Sequence, residues 1–209
     1  CLEDIRKDGE MKLKNLLEKV NVIECTADTE CEITGISYNS KLTKAGDAFV
    51  AIKGLSTDGH KFIPMAAENG ASVVVCSSVP ETDIPYVLTD DCRRALALMS
   101  GNFYGNPAAG MKMIGITGTS GKTTSSYLIK HILEKKLNAK VGLIGTNGNM
   151  IGDEHIHSEM TTPESLELHG LFRRMADAGC THVVMEVSSH SLDQKRVHGI
   201  EYDVGEFTN

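Results

Sequence analysis

Residues 115–124 read Gly115-Ile-Thr-Gly-Thr-Ser-Gly-Lys-Thr-Thr124, a glycine-rich segment that ends in Gly-Lys-Thr. The apolar run at residues 112–117 predicts a short buried strand, and apolar residues at helical spacing over residues 123–136 predict a helix. Glycines at such a junction let consecutive N–H groups surround phosphate oxygens, and the helix adds the positive end of its dipole. This segment therefore predicts a binding site for a nucleoside triphosphate.

Individual roles follow for the residues of this loop. Lys122 is predicted to reach the β- and γ-phosphates, and the hydroxyl of Thr123 is predicted to help hold Mg²⁺. The standard pattern has its first glycine at the position of Ile116, so this loop is a variant. An ordinary glycine-rich turn followed by a surface lysine is the alternative interpretation. The predicted nucleotide contacts are Gly118, Thr119, Ser120, Gly121, Lys122, Thr123 and Thr124.

The composition limits the classes of protein to consider. The chain has 209 residues, which is enough for two small domains with a core each, and its formal net charge is −7. An acidic chain without a basic run is not expected to bind nucleic acid. No apolar run approaches the roughly 20 residues that span a bilayer, so no membrane span is predicted.

The cysteines and the first residues bear on location and processing. Six cysteines occur without a Cys-x-x-Cys pair, which predicts free thiols and a cytoplasmic location. Residues 1–10 are rich in charge, unlike a signal peptide, and Met11 is typical of a natural start. Residues 1–10 are therefore interpreted as an upstream extension. The sequence does not indicate an oligomeric state.

Alternating strand and helix patterns predict an α/β fold with two domains. Residues 11–105 are predicted to form a small N-terminal domain, with strands at 33–38, 48–52, 71–77 and 86–89 and helices at 13–20, 62–69 and 92–104. Turn-rich residues 105–110 are predicted to be a linker. Residues 111–209 are predicted to form an ATP-binding domain whose mostly parallel sheet has helices on both faces. Its strands are expected at 112–117, 140–145, 182–187 and 202–207, and its helices at 123–136 and 165–178.

Glu186 stands at the carboxyl end of the strand pattern of residues 182–187, where it is expected to face the phosphate loop. An acid at this position of an α/β fold often holds Mg²⁺, directly or through water. The alternative is a surface residue or a cap. His155 and His157 resemble a metal-binding pair, but they occupy a polar, loop-like stretch and are interpreted as solvated surface.

Five motifs resemble the Mur ligase family in their order and spacing. They are Gly118-Thr-Ser-Gly-Lys-Thr-Thr124, Thr161-Thr-Pro163, Met185-Glu-Val-Ser-Ser-His190, Gln194-Lys-Arg-Val197 and Phe207-Thr-Asn209. The N-terminal part is similar to that family's UDP-binding domain over Tyr38-Asn-Ser-Lys41, Ala45-Gly-Asp-Ala-Phe-Val-Ala51 and Asp58-Gly59-His60. The resemblance extends over nearly all of the chain after about Ile33.

The resemblance implies an ATP-dependent amide ligase of peptidoglycan synthesis. The expected substrate is UDP-N-acetylmuramoyl-L-alanyl-D-glutamate, which is extended by a diamino acid, either meso-diaminopimelate or L-lysine. The γ-phosphate of ATP is expected to pass to the glutamate carboxylate, and the amine then attacks the acyl phosphate. By the same resemblance, Lys122 and Glu186 are the catalytic residues, and Thr123 and Glu186 hold Mg²⁺.

The resemblance also implies substrate-binding residues in both parts of the chain. Those expected at the uridine diphosphate are Tyr38, Ser40, Leu55, Ser56 and Thr57, and those expected at the muramoyl dipeptide are Thr161, Thr162, Ser188, Gln194 and Arg196. Three positions depart from the family pattern, because Ser120 and Asn39 replace Asn and Asp, and Lys41 replaces Arg. For Thr162, capping of the helix predicted from residue 165 is an alternative role.

The family pattern continues after Phe-Thr-Asn209 with an Asp-His motif, a modified lysine and a C-terminal domain, which this sequence does not contain. The sequence is therefore interpreted as an incomplete part of a larger ligase. Two alternatives remain. One is another ligase of the superfamily, such as the enzyme that adds the D-alanyl dipeptide or folylpolyglutamate synthetase. The other is a non-catalytic module that binds a nucleotide or a UDP-sugar.

Overall fold

The computed structural model describes residues 11–54 and 57–209. The described residues fall into two compact units, of which the first ends at Phe103 and the second begins at Tyr104. Each unit combines helices with a sheet that contains parallel strands, so the fold is mixed α/β. The extension interpreted at residues 1–10 and the predicted ligands Leu55 and Ser56 lie outside the described residues.

The first unit is organised around a five-stranded sheet. Among its described residues, the strands are β1 (Met11–Lys12), β2 (Val22–Cys25), β3 (Glu32–Ile33), β4 (Gly35–Ser37), β5 (Asp47–Val50), β6 (Val73–Cys76) and β7 (Tyr86–Thr89), and the helices are α1 (Leu13–Leu16), α2 (Ile63–Glu68) and α3 (Cys92–Phe103). The sheet has the order β2-β7-β6-β5-β4. Strands β4 to β7 are parallel, and β2 is antiparallel to β7. Strands β1 and β3 form a separate antiparallel pair.

Local sequence explains the elements of the first unit. Strand β6 reads Val-Val-Val-Cys and is buried along its whole length, as expected for a parallel strand that is covered on both faces. Helix α3 begins after Asp91, whose Oδ1 accepts hydrogen bonds from the N–H groups of Arg93 and Arg94 at 3.0 and 3.1 Å. These bonds satisfy helix donors that would otherwise lack a partner. Phe49 and Ile63 bring β5 and α2 into one apolar cluster.

The described residues of the second unit form a six-stranded sheet. Among its described residues, the strands are β8 (Lys112–Gly118), β9 (Val141–Gly145), β10 (Gly148–Ile151), β11 (Glu154–Ile156), β12 (His182–Glu186) and β13 (Val204–Thr208), and the helices are α4 (Lys122–Leu137), α5 (Ser165–Asp177) and α6 (Ser189–Asp193). The order is β11-β10-β9-β12-β8-β13. Strands β9, β12, β8 and β13 are parallel, whereas β10 and β11 form an antiparallel hairpin at one edge. Because the carboxyl ends of parallel strands meet, the segments that follow β8, β9 and β12 lie together.

Helices α4 and α5 pack on opposite faces of this sheet. On one face, Ile129 and Leu133 of α4 pack against a cluster that includes Val184. On the other face, Phe172 of α5 belongs to a cluster that includes Val183. Neighbouring residues of β12 therefore serve different clusters, as the alternation of side chains along a strand requires. Helices on both faces were predicted for this part of the chain.

The sequence prediction was wrong at one edge of the second sheet. The stretch around His155 was interpreted as loop-like, but Glu154–Ile156 is strand β11. A short and polar edge strand lacks the alternation that marks a strand in the sequence. His155 and His157 are exposed, as was predicted. The last strand begins at Val204 rather than at residue 202, and the ring of Tyr202 instead covers Gly115, where a Cβ would lie 2.8 Å from it.

Two predictions from composition can be compared with the structure. The described cysteines are all free thiols, namely Cys25, Cys31, Cys76, Cys92 and Cys180. Burial raises the pKa of the Cys76 thiol to about 11 and the pKa of the Cys92 thiol to about 12, which keeps both thiols protonated near neutral pH. Within residues 11–54 and 57–209, no helix has the length and apolar character needed to cross a bilayer.

His169 is a buried imidazole on α5 that meets Phe172 edge to face, with 5.7 Å between the ring centroids. It is 4% exposed, and neither ring nitrogen has a hydrogen-bond partner among the described residues. Burial lowers the pKa of His169 from 6.5 to about 4, because the charged imidazole would lose its hydration. Below pH 6.5 the unfolded chain therefore takes up a proton that the folded chain does not, so stability falls as the pH drops towards 4.

We expect His169→Leu to reduce the sensitivity of folding to acid. Between pH 7 and pH 5, the wild-type protein should lose about 2 kcal/mol of unfolding free energy through this residue, and the variant should not. Urea unfolding of the complete protein at both pH values measures this difference. His155→Leu on the exposed strand β11 is the matched control and should retain the wild-type pH dependence. An unchanged pH dependence in His169→Leu would show that this imidazole does not titrate as described.

Candidate active site

The segment between β8 and α4 has a shape that requires glycine. Gly118 and Gly121 have φ angles of +134° and +86°, which residues with a side chain rarely adopt. A Cβ on Gly118 would overlap the carbonyl oxygen of Thr208 on the neighbouring strand β13. Gly121 precedes α4 and offers no side-chain hydrogen bond to its first turn. The N–H groups at the start of α4 are therefore open to an anion.

Lys122 lies over this loop. Its Nζ donates a hydrogen bond to the carbonyl oxygen of Gly118 at 2.6 Å. Thr119 donates both its N–H, at 2.9 Å, and its hydroxyl, at 2.6 Å, to the carbonyl oxygen of Asn209. The structure thus brings the predicted nucleotide contacts into one turn that carries a lysine. The exposed members of the turn are Thr119, Ser120, Gly121 and Thr124.

Glu186 is the last residue of β12, and its carboxylate faces the start of α4. The residue is 1% exposed. Its Oε2 accepts hydrogen bonds from the hydroxyls of Thr123 at 3.1 Å and Thr146 at 3.0 Å. Its Oε1 accepts a hydrogen bond from the N–H of Thr146 at 3.1 Å. All three donors are uncharged, and Thr123 connects the acid directly to the glycine loop.

These residues fit ATP and Mg²⁺. Within residues 11–54 and 57–209, the buried carboxylate of Glu186 has neutral donors and forms no ion pair, an arrangement that favours a bound cation. Oxygen atoms such as those of Glu186 and Thr123 are the ligands that Mg²⁺ prefers. The glycine turn, the ammonium of Lys122 and the open start of α4 suit a chain of phosphates.

Thr161 and Thr162 lie beside this carboxylate. The Oγ1 of Thr161 is 3.0 Å from the Oγ1 of Thr146. The hydroxyl of Thr162 donates to the backbone carbonyl of Glu186 at 2.8 Å and accepts a hydrogen bond from the N–H of Ser188 at 3.1 Å. Thr162 is almost fully buried, so its hydroxyl joins the end of β12 to the segment that precedes α5.

The structure shows which of Thr162 and Ser188 caps a helix. Ser188 caps α6, because its Oγ accepts a hydrogen bond from the N–H of Ser191 at 3.2 Å. Thr162 does not cap the helix that follows it, since the residue that precedes α5 is Glu164. The capping role considered for Thr162 is therefore wrong, and its bonds go to the strand end instead.

Gln194 and Arg196 form a compact polar group with Glu164. The Nε of Arg196 lies 2.7 Å from Oε1 of Glu164, and both side chains are 13% exposed. The Nη2 of Arg196 donates to Oε1 of Gln194 at 2.6 Å, and Nη1 donates to the carbonyl oxygen of Thr162 at 2.9 Å. The guanidinium that was predicted to bind a substrate anion thus has internal partners, and it holds the segment before α5 in place.

Arg196→Ala should lower the free energy of unfolding by about 2–3 kcal/mol, because a largely buried carboxylate and a carbonyl lose charged donors. Urea unfolding of the complete protein measures this loss. Arg173→Ala is the matched control, since the ion pair of Arg173 with Asp177 is more exposed and should be worth less than about 1 kcal/mol. Equal losses in the two variants would contradict a structural role for Arg196.

The described residues that were predicted to contact the uridine diphosphate, Tyr38, Ser40 and Thr57, lie in the first unit. Ser40 is buried, with its Oγ 3.3 Å from Sδ of Met65. Its carbonyl oxygen accepts a hydrogen bond from Nδ2 of Asn69 at 2.8 Å. Tyr38 is half-buried and Thr57 is exposed. The hydroxyl of Ser40 therefore faces α2, and its contact with a nucleotide stays a prediction.

Asp58 and His60 anchor the segment that follows Thr57. The Oδ1 of Asp58 accepts the N–H of His60 at 3.0 Å and lies 2.7 Å from its Nδ1. The hydrogen bond from the backbone N–H of His60, and to a smaller extent the one from its side chain, hold the pKa of the Asp58 carboxyl below its usual value. The Nε2 of His60 accepts a hydrogen bond from the N–H of Ser77 at 2.9 Å. The Asp58-Gly59-His60 motif thus joins this segment to the end of β6.

Sequence reasoning missed two residues of the candidate site, Thr146 and Glu164. Thr146 directly follows β9. A residue that follows a parallel strand lies at the carboxyl edge of the sheet, so this position alone could have indicated Thr146. Glu164 carried no comparable signal, because its pairing with Arg196 arises only when distant parts of the chain meet.

Two protein-family models match this chain. The model described as the Mur ligase family, catalytic domain, matches residues 32–104, and the model described as the Mur ligase middle domain matches residues 116–209. The mixed α/β chain thus has two successive domains of the Mur ligase class. The chain belongs to the Mur ligase family, which confirms the resemblance seen in its motifs.

Similar curated proteins share one name, UDP-N-acetylmuramoyl-L-alanyl-D-glutamate--2,6-diaminopimelate ligase. The protein from Clostridium tetani is 50% identical over 204 residues, which are 95% of this chain and 42% of that protein. The proteins from Bacteroides thetaiotaomicron and Bacillus licheniformis are 42% and 43% identical, each over 95% of this chain and 42% and 41% of their own lengths. This chain therefore spans about two fifths of the length of these relatives.

Solved structures show the same fold. A structure of UDP-N-acetylmuramoyl-L-alanyl-D-glutamate--2,6-diaminopimelate ligase matches with a TM-score of 0.80 and 25% identity, over 96% of this chain and 40% of that one. A crystal structure of MurF from Acinetobacter baumannii matches with a TM-score of 0.59 and 22% identity, over 87% of this chain and 36% of that one. The second likeness bears on the fold alone.

Proposed function

We propose that this chain forms the UDP-sugar-binding and ATP-binding parts of an ATP-dependent amide ligase. The ligase would join 2,6-diaminopimelate to UDP-N-acetylmuramoyl-L-alanyl-D-glutamate in peptidoglycan synthesis. The observation that carries the proposal is the approach of buried Glu186 to the glycine loop, where the hydroxyl of Thr123 is 3.1 Å from its carboxylate. The names of the similar proteins supply the substrate and the amino acid.

Each part of the loop would have a separate task in holding ATP. The glycines and the N–H groups at the start of α4 would surround the phosphates, and Lys122 would contact the γ-phosphate. Thr123 and Glu186 would hold Mg²⁺, which neutralises negative charge on the phosphoryl group that is transferred. The assignments of Lys122, Thr123 and Glu186 are supported by the hydrogen bonds of Thr123 with Glu186, at 3.1 Å, and of Lys122 with Gly118, at 2.6 Å.

The reaction needs this site because a carboxylate does not acylate an amine in water. Transfer of the γ-phosphoryl group forms a bond from phosphorus to a carboxylate oxygen of the substrate's glutamate and releases ADP. The amine then attacks the carbonyl carbon, and phosphate leaves with the electron pair of the carbon–oxygen bond. Lys122 would stabilise the charge that gathers on the phosphoryl oxygens during the first step.

The remaining assignments concern the substrate and the division of the chain. Residues 11–105 are proposed as the UDP-sugar-binding domain, with contacts from Tyr38, Ser40, Leu55, Ser56 and Thr57. Residues 111–209 are proposed as part of the ATP-binding domain, with muramoyl-dipeptide contacts from Thr161, Thr162, Ser188, Gln194 and Arg196. Among the hydroxyl residues of this set, Thr161 and Ser188 are half-buried and Thr162 is buried, and Thr161 contacts Thr146 beside the buried acid. The reaction is proposed to occur in the cytoplasm, where ATP is available.

Substrate-dependent release of ADP by the complete protein tests this proposal. ADP release that requires both UDP-N-acetylmuramoyl-L-alanyl-D-glutamate and meso-diaminopimelate is the expected result. Release with L-lysine but not with meso-diaminopimelate would overturn the choice of amino acid. Binding of the UDP-linked substrate without ADP release would favour a non-catalytic module. Release with a D-alanyl dipeptide and a tripeptide substrate would favour another ligase of the superfamily.

A further inference from the structure

The turn after β9 forms a seat for the carboxylate of Glu186. Gly145 ends β9, and a Cβ at this position would overlap Oε1 of Glu186. Thr146 follows and donates its N–H to Oε1 at 3.1 Å and its hydroxyl to Oε2 at 3.0 Å. The carboxylate thus packs against a residue without a side chain and meets a donor at each oxygen. We call Gly145 and Thr146 the carboxylate seat.

The number of available protons fixes which oxygen donates in each hydrogen bond around the carboxylate of Glu186. An ionised carboxylate only accepts, so the single hydroxyl proton of Thr146 points to Glu186. The Oγ1 of Thr146 then accepts from the hydroxyl of Thr161, 3.0 Å away. The hydroxyl of Thr123 also donates to Glu186, which leaves the lone pairs of its oxygen free for another partner.

We propose that Thr146 is a positioning residue, which fixes the plane and direction of the Glu186 carboxylate for its role beside the metal and the nucleotide. Two donors from one residue, one at each carboxylate oxygen, restrict rotation of the carboxylate about its last bond. Thr123 alone contacts a single oxygen and cannot impose this restriction. This inference rests on the proposed function, because only that function gives Glu186 a metal ion to bind.

Thr146 also links the acid to the predicted substrate-binding segment. Its hydroxyl is the only one of the three donor groups on Glu186, within the described residues, that also contacts Thr161. Replacing a residue that hydrogen-bonds to a metal ligand and orients it typically lowers metal affinity or activity by about 10- to 100-fold. Thr146 is exposed, so its replacement leaves no cavity, but the buried carboxylate of Glu186 loses one donor, which should moderately lower the free energy of unfolding.

Thr146→Val in the complete protein tests the inference, since valine keeps the shape and the N–H but removes the hydroxyl. Two quantities are measured for each variant: kcat for ligation, and the extent to which Mg²⁺ tightens the binding of a fluorescent ATP analogue. Both are expected to fall by about 10- to 100-fold in Thr146→Val. Thr146→Ser restores the hydroxyl and should recover most of both. Thr181→Val, at the opposite end of β12, is the matched control and should behave as wild type.

The outcomes separate this inference from the proposed function. Wild-type values of kcat and Mg²⁺-dependent binding in Thr146→Val would overturn the positioning role while leaving the ligase proposal intact. Failure of Thr146→Ser to recover either quantity, with folding unchanged by circular dichroism, would also overturn the role of the hydroxyl. Absence of ligation and of Mg²⁺-dependent nucleotide binding in the wild-type protein would overturn the proposed function, and the inference with it.

Discussion

Lys122→Ala is expected to reduce ATP-dependent ligation by the complete protein by at least about a hundredfold, because a placed positive charge is lost where phosphoryl charge gathers. The Nζ of Lys122 lies over the glycine loop, 2.6 Å from the carbonyl oxygen of Gly118. Alanine keeps the helix, so the loss should appear in kcat rather than in folding. Initial rates of ADP release at saturating substrates measure the effect.

The control for this prediction lies on the same helix. Lys136→Ala removes an exposed lysine from the last turn of α4 and should leave the rate unchanged. Thermal unfolding of both variants should stay within a few degrees of the wild type, since each change affects stability by less than about 1 kcal/mol. Near-normal ADP release by Lys122→Ala would refute the phosphate-binding role of the loop.

Gly118→Ala is expected to lower the free energy of unfolding by more than about 4 kcal/mol, the largest effect on stability that the structure predicts. The added Cβ would overlap the carbonyl oxygen of Thr208, and the φ angle of +134° is one that alanine rarely adopts. Relief requires β13 to separate from β8 at the register pair of Thr208 and Gly118. Urea unfolding and the soluble yield of the complete protein measure the result.

Gly205→Ala provides a matched glycine replacement in the same pair of strands. Gly205 pairs with Gly115, and a Cβ at Gly205 would meet no atom within 4 Å. This variant should be neutral or slightly more stable, because alanine reduces the freedom of the unfolded chain. A similar loss of stability in both variants would show that the close approach at Gly118 does not limit the fold.

The parts of the fold that sequence could predict are those with a strong local pattern. The strand at residues 86–89 and the helix from Ser165 have the bounds expected from apolar spacing, to within a residue at each end. The hairpin of β10 and β11 was missed because it is short, partly polar and paired only at the sheet edge. The spacing of apolar residues indicates one helix or strand at a time, whereas a hairpin at the edge of a sheet also depends on the strand with which it pairs.

The candidate site likewise has features that the sequence could predict and others that it could not. The order of strand, glycine loop and helix predicted the loop, and the end of a strand predicted the position of Glu186. The internal partners of Arg196 could not be predicted, because they come from segments that meet only in the folded chain. The same holds for the two donors of Thr146, which depend on β9 and β12 being adjacent.

In the proposed ATP site, the carboxylate of Glu186 would also decide which form of the nucleotide binds. In the part of the chain that the structure describes, its hydrogen bonds come from neutral groups alone, so no cationic side chain balances its negative charge. Two like charges 4 Å apart in a partly shielded protein site repel by about 4 kcal/mol, which is close to a thousandfold in affinity. A triphosphate without a divalent cation would meet this repulsion, whereas a cation between the two anions turns it into attraction. Occupancy of the loop should therefore follow the concentration of the metal complex of the nucleotide, and uncomplexed ATP should be a poor competitor.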